Sequence, residues 1–210
     1  MIYTLAPKQV GPYTLHFEDL DGDTDKVQLV KDHPQYGRGG IMKTHYFRSG
    51  KHLKTDHLPT KISPKARKGK LPDYAIHGMA QVCSQAFRDI VEAHDPGIHQ
   101  LEPAQIVWKD GTVEPEPYYW LIPGARLWSV DPDESNPALT ELGHFVGFGS
   151  KAVPRPGPVQ PVFRKEYVGD HDLFCDDAIA GGMFISERLK NALIAAEMIG
   201  VGFPNAWPLI

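Results

Sequence analysis

The densest cluster of titratable side chains in the chain is Glu18-Asp19-Leu20-Asp21-Gly22-Asp23-Thr24-Asp25, five acids in eight residues. Asp19, Asp21 and Asp23 have the alternate spacing of the first ligands of a calcium loop. The frame then fails: the sixth position is Thr24 where glycine is needed, and the twelfth is Val30 where a bidentate glutamate is needed. Two readings remain, a solvated turn and an acidic docking patch for a basic partner. The opposite charge is concentrated in residues 43–70, where nine basic side chains (Lys43, Arg48, Lys51, Lys54, Lys61, Lys65, Arg67, Lys68, Lys70) face one acid, Asp56. The rest of the chain holds 13 Lys/Arg against 25 Asp/Glu. Such polarity steers a charged partner, or is satisfied internally when the basic segment lies on an acidic face of its own fold. The candidate partner-binding residues are Glu18, Asp19, Asp21, Asp23 and Asp25 in one cluster, and Lys51, Lys54, Lys61, Arg67, Lys68 and Lys70 in the other.

Catalytic chemistry has weaker support. The histidine pairs His52/His57 and His94/His99 are each five residues apart, with no HExxH and no cysteine at zinc spacing. No metal and no cofactor is expected. A nucleophile needs a base and an orienting group, and no GxSxG is present. Cys83 stands directly before a helix cap, the position of a thiol with a lowered pKa, and His77 and His171 are available bases. Its alignment with Ile185 in the repeat described next favours a buried, apolar role. Gly37-Arg38-Gly39-Gly40 lacks the GxxxxGK[ST] frame of a phosphate loop and reads as a turn. The lysines of 43–70 could meet phosphates, but aromatic residues stop after Tyr46 and Phe47, and no helix-turn-helix pattern occurs. The expectation is a binding protein, not an enzyme, with nucleic acid disfavoured as a partner.

The sharpest sign of the scaffold is a phrase used twice at an offset of 102 residues: Ser84 matches Ser186, Phe87 matches Leu189, Arg88 matches Lys190, Val91 matches Leu193 and Leu101 matches Phe203. Each copy reads as a strand end, a serine cap, a short amphipathic helix and a return to extended chain. The first helix should stop near Asp95-Pro96-Gly97 and the second near Gly200. Between them, Ile106-Val107-Trp108 and Tyr118–Ile122 flank an Asp110-Gly111 hairpin signal. Arg126–Val130, Phe145–Phe148 and Phe163–Val168 are further expected strands. Trp108, Trp120, Trp128 and Tyr119 read as core or sheet-surface packing. Residues 48–70, with few large apolar side chains, read as a long exposed loop.

Strands that do not alternate strictly with helices predict an α+β fold: an antiparallel, short-stranded sheet with two capped amphipathic helices near 84–95 and 186–199. The 20 glycines and 19 prolines predict a loop-rich chain. An N-terminal extended, basic segment (1–70) is expected to precede an α+β domain (71–210), or to form one compact unit with it. No apolar run approaches the roughly 20 residues that span a bilayer, and the start of the chain lacks a signal-peptide pattern. Two distant cysteines without a CxxC fit a reducing, cytoplasmic setting.

The order Leu71-Pro72-Asp73, Val82 to Val91, His99 to Pro103, Tyr118-Tyr119, Leu127 to Asp131, Ser135, Phe174, Ile185 to Leu189 and Gly200 to Phe203 resembles the immunity-11 family of bacterial polymorphic-toxin systems. The resemblance covers roughly residues 71–210. It implies a cytoplasmic antidote that binds a cognate secreted toxin, encoded by an adjacent gene, and occludes its active site. It supplies no catalytic motif. The alternatives are a nucleic-acid-binding module using 43–70 and a small enzyme that reverses a toxin's modification.

Overall fold

The computed structural model describes residues 1–8, 15–30, 43–65, 69–136, 160–179 and 181–210. The turn expected at 37–40, the strand expected at 145–148, and Arg67 and Lys68 lie outside them. The fold is mixed α/β. Its strands are β1 (Ile2–Thr4), β2 (Ala6–Pro7), β3 (Phe17–Asp19), β4 (Gln28–Leu29), β5 (Leu53–Lys54), β6 (Lys61–Pro64), β7 (Tyr74–His77), β8 (Ala80–Ser84), β9 (Gln100–Ile106), β10 (Tyr118–Ile122), β11 (Arg126–Leu127), β12 (Leu173–Asp176), β13 (Phe184–Ser186), β14 (Val201–Gly202) and β15 (Ala206–Trp207). Its helices are α1 (Gln85–His94), α2 (Lys165–Val168) and α3 (Glu187–Ala195).

Two sheets organise the molecule, in the orders β3-β6-β9-β10-β8-β7 and β11-β12-β13-β1-β15. Each is antiparallel except for one pair, β6 with β9 and β11 with β12. The sequence leads to the expectation of one antiparallel sheet; register and parallel pairing are set by which faces find cover, not by local pattern. β1 pairs with β13 and β15, and β6 with β9, so strands from the first 65 residues sit among strands from beyond residue 100.

The repeated phrase folds twice into the same unit, a hairpin, a serine cap and a helix. Ser84 (φ −69°, ψ 164°) and Ser186 (φ −68°, ψ 164°) are superposable caps. Each hydroxyl accepts from the third amide of its helix, that of Phe87 at 3.3 Å and Leu189 at 3.1 Å. Such a cap stabilises its helix by about 0.5–2 kcal/mol. Each hydroxyl donates to an aspartate at the start of its hairpin, Asp73 at 2.8 Å and Asp172, and each serine amide donates to the carbonyl of that same aspartate at 2.9 Å. The flanking strands repeat the pattern. Tyr119 faces Cys83 across β10–β8, donates to Gln85 at 2.5 Å and lies under Arg88 at 4.5 Å. Tyr3 faces Ile185 across β1–β13, donates to Glu187 at 3.2 Å and lies under Lys190 at 3.9 Å. Cys83/Ile185, Ser84/Ser186, Gln85/Glu187 and Arg88/Lys190 keep the 102-residue offset, whereas Asp73 and Asp172 are 99 apart and the tyrosines come from unrelated positions.

The two units close on each other. The amides of Asp172 and Leu173, entering the second hairpin, donate to Asp95 at the end of α1. The amide of Ile199, after α3, donates to Asp73 at 2.7 Å. Phe87, Val91, Leu189 and Leu193 share one core with Cys83, Cys175 and Ile185. α3 ends at Ala195, about a turn before Gly200, because Glu197 turns left-handed at φ 53°.

Two expectations are corrected. Residues 48–65 are not a long exposed loop: β5 and β6 lie there, and Leu53, Leu58 and Ile62 are buried against Trp120 and Val82. Trp120 donates to the carbonyl of Pro59 at 2.7 Å. Each buried aliphatic side chain stabilises the fold by about 1.5–3 kcal/mol, enough to hold a charge-rich segment down. The expected strand at 163–168 is mostly the single turn α2, closed by Gly169 at φ 58°. Phe163 and Val168 both enter the core, a spacing of five that period-two alternation forbids.

Candidate functional site

The acidic run and the 60–64 part of the basic segment meet at one sheet edge, where β3 pairs with β6 and Glu18 faces Ser63. The acids fasten that edge. Asp21 accepts from the amide (2.7 Å) and hydroxyl (2.6 Å) of Thr60 and from the amide of Lys61 (2.9 Å). Burial, the largest single influence, raises its pKa, but those donors and the Lys61 charge together outweigh it and hold the carboxyl below its ordinary value. Asp19 bonds His77 at 2.6 Å and the hydroxyl of Thr24 at 3.2 Å. Asp23 caps the turn at Thr24–Lys26 and pairs with Lys26 at 3.0 Å. The three carboxylates of the calcium-like spacing thus face three different partners. Glu18 and Asp25 are exposed, as are Lys54, Lys61 and Lys70.

Lys51 is different, being 1% exposed. Burial, with the nearby Arg126 charge, pulls its amine down to about 8 from 10.5. Between those values the unfolded chain holds a proton that the folded chain has released, so this residue's contribution to stability rises with pH there. Below pH 8 the folded state carries the whole penalty of a buried ammonium. Lys51→Met should therefore change stability, relative to the parent, more favourably at pH 7 than at pH 10. Urea unfolding at both pH values measures it; equal differences would refute the assignment.

A second surface forms where the end of the chain meets α2. Val130 pairs with Phe163, Arg164 donates to the carbonyl of Ser129 at 2.8 Å, and Lys165 donates to that of Ile210 at 2.7 Å. These bonds bring the backbones of 128–130, 163–165 and 209–210 side by side. A groove of about 660 Å³ opens there, lined among others by Asp131, Arg164, Glu166, Asp170 and Ile210. Arg164 bonds Asp131 at 2.6 Å and its guanidinium lies 5.8 Å from the Tyr167 ring. That bond, with the amides of Glu134 and Asp133, holds the Asp131 carboxyl at about 2. Trp128, Tyr167 and Ile210 are 42%, 53% and 59% exposed. The sequence reading names Trp128 only as packing and passes over Glu166, Tyr167 and Asp170. Nothing local distinguishes them; their adjacency depends on pairings between distant segments.

The groups with nucleophile chemistry are committed elsewhere. Ser186, Asp172 and His94 are the residue types of a hydrolytic triad, but the aspartate stands in the middle: Ser186, His94 (2.9 Å) and Arg188 all bond Asp172. A triad needs the imidazole between serine and carboxylate. Cys83 is fully buried, the apolar role that its alignment with Ile185 favours, and that burial pushes its thiol far up. Cys175 is likewise pushed up to about 12. Trp108 and Trp120 are buried as expected. No helix among the described residues is long and apolar enough to cross a membrane.

The family model described as immunity protein family (Imm11) matches residues 7–206. The match begins well before residue 71, so it takes in the first charged clusters as well as the repeated units. No curated protein matches the chain.

Proposed function

The chain belongs to the immunity protein family Imm11, and from that premise we propose that it binds a cognate toxin domain and neutralises it by occluding the toxin's active site. The family match carries this reading. The commitment of Ser186, Asp172, His94 and Cys83 to caps, a carboxylate network and the core supports a binding mechanism over a chemical one. The toxin is encoded by an adjacent gene, and the pair meet in the cytoplasm of the producing cell. Protein is preferred to nucleic acid as the partner, because the family is one of immunity proteins and Lys51, in the middle of the basic segment, is buried rather than offered to phosphates. Protection of this kind needs nanomolar binding or better, on the order of −12 kcal/mol, which a standard interface of about 1,600 Å² supplies when a few anchors pack well.

Co-expression of this chain with the product of the neighbouring gene tests the proposal. The expected result is survival of the cells together with a stable complex of the two proteins. Survival without any complex would favour the rival reading, an enzyme that reverses the toxin's modification. Death despite expression of the folded chain would overturn the immunity reading.

A further inference from the structure

We propose that the toxin docks on the surface formed by Trp128, Tyr167 and Ile210 around the α2 groove, and that its contacting surface is basic. The inference rests on the immunity reading above and assigns its interface. Three large apolar side chains are exposed there, on backbone segments tied directly to one another. Tryptophan and tyrosine are the side chains that most often dominate binding energy, because they bury much area with few rotors to immobilise. The segments are anchored: Phe163, next to Arg164, is fully buried, and Asp131 holds Arg164 near the Tyr167 ring.

Charge identifies the partner. Among the described residues, the exposed ionic groups on the segments that carry these anchors are Asp133, Glu134, Glu166 and Asp170 against Lys165. Asp131 and Arg164 neutralise each other. An acidic rim around apolar anchors accepts lysine or arginine side chains from a partner and repels an acidic one. A groove of about 660 Å³ with Glu166 and Asp170 on its wall has room for such side chains. The acidic run near residue 21 competes poorly for that role, since three of its carboxylates already hold donors of their own chain.

The test is binding of full-length variants to the purified product of the neighbouring gene. W128A/Y167A should raise Kd about 100-fold or more. E166K/D170K should slow association about tenfold at low salt, and the parent's association rate should fall as salt is added. E18K/D25K, on the other charged edge, should change Kd less than about threefold. All these positions are exposed, so circular dichroism and unfolding midpoints should match the parent. If the parent binds and both groove variants bind within threefold of it, this interface is wrong and the immunity reading stands. If the parent binds no neighbouring product, both are wrong.

Discussion

Asp172→Ala is expected to lower stability by about 3–5 kcal/mol, which would leave much of the protein unfolded at 37 °C. The side chain is 2% exposed and receives Ser186, His94 and the Arg188 guanidinium. Arg188 is itself 63% exposed and contributes little. The loss comes from the half-buried serine hydroxyl and imidazole, which would keep their donors and lose their acceptor. The cap of α3 would also lose the group that orients it. Asp172→Asn retains one oxygen and should fall between parent and alanine variant. Urea denaturation gives all three values; an alanine variant within about 1 kcal/mol of the parent would show that the network is dispensable. The duplication supplies its own control. Asp73 plays the same part for Ser84 and additionally accepts from Ile199, so Asp73→Ala should be destabilising for the same reason.

Gly124→Ala is expected to be as damaging through a different cause. A Cβ at this position would lie 1.9 Å from the carbonyl oxygen of Ile98 and 2.8 Å from Nε2 of His52. The first is backbone and cannot step aside, since that carbonyl bonds His52 at 3.1 Å and the glycine amide donates to His99. The chain after β10 must separate from the segment that follows α1, at a cost of about 3 kcal/mol or more. For a chain of this length that corresponds to a fall in Tm of about 6–12 °C. Gly97→Ala is the comparison: its φ of 69° disfavours a side chain, but nothing lies within 4 Å of the added methyl. Its loss should stay near 1–2 kcal/mol. Equal midpoints for the two variants would mean that the contact at Ile98 relaxes without cost.

The proposed docking surface and the repeated helices differ in how openly the sequence displays them. Ser84 and Ser186 each stand before an apolar pattern of period 3.6, so cap and helix are written within about ten residues of chain. The Asp110-Gly111 turn is equally local, and Gly111 takes the left-handed φ of 81° that the dipeptide favours. The 48–65 segment is the counterexample. Its apolar residues are too sparse to show a period, so composition pointed to solvent, and only Trp120 and Val82 from other strands give Leu53, Leu58 and Ile62 a place to bury.

The charged residues carry the same lesson. Their sequence records how many acids and bases lie in each run, but a carboxylate near residue 21 becomes a fastening only when β6 arrives beside it, and Lys51 becomes a core residue only when its segment is packed under the sheet. The sequence by itself determined the two capped helices, their duplication and the family, because caps, helical periodicity and ordered motifs are short-range or linear properties. Tertiary structure alone decided the two-sheet arrangement, the parallel pairs, the burial of Lys51 and the joining of the backbone segments that carry Trp128, Tyr167 and Ile210. Each of those depends on contacts between segments tens of residues apart, where the free energy is set by the neighbour that arrives and not by the residue that waits.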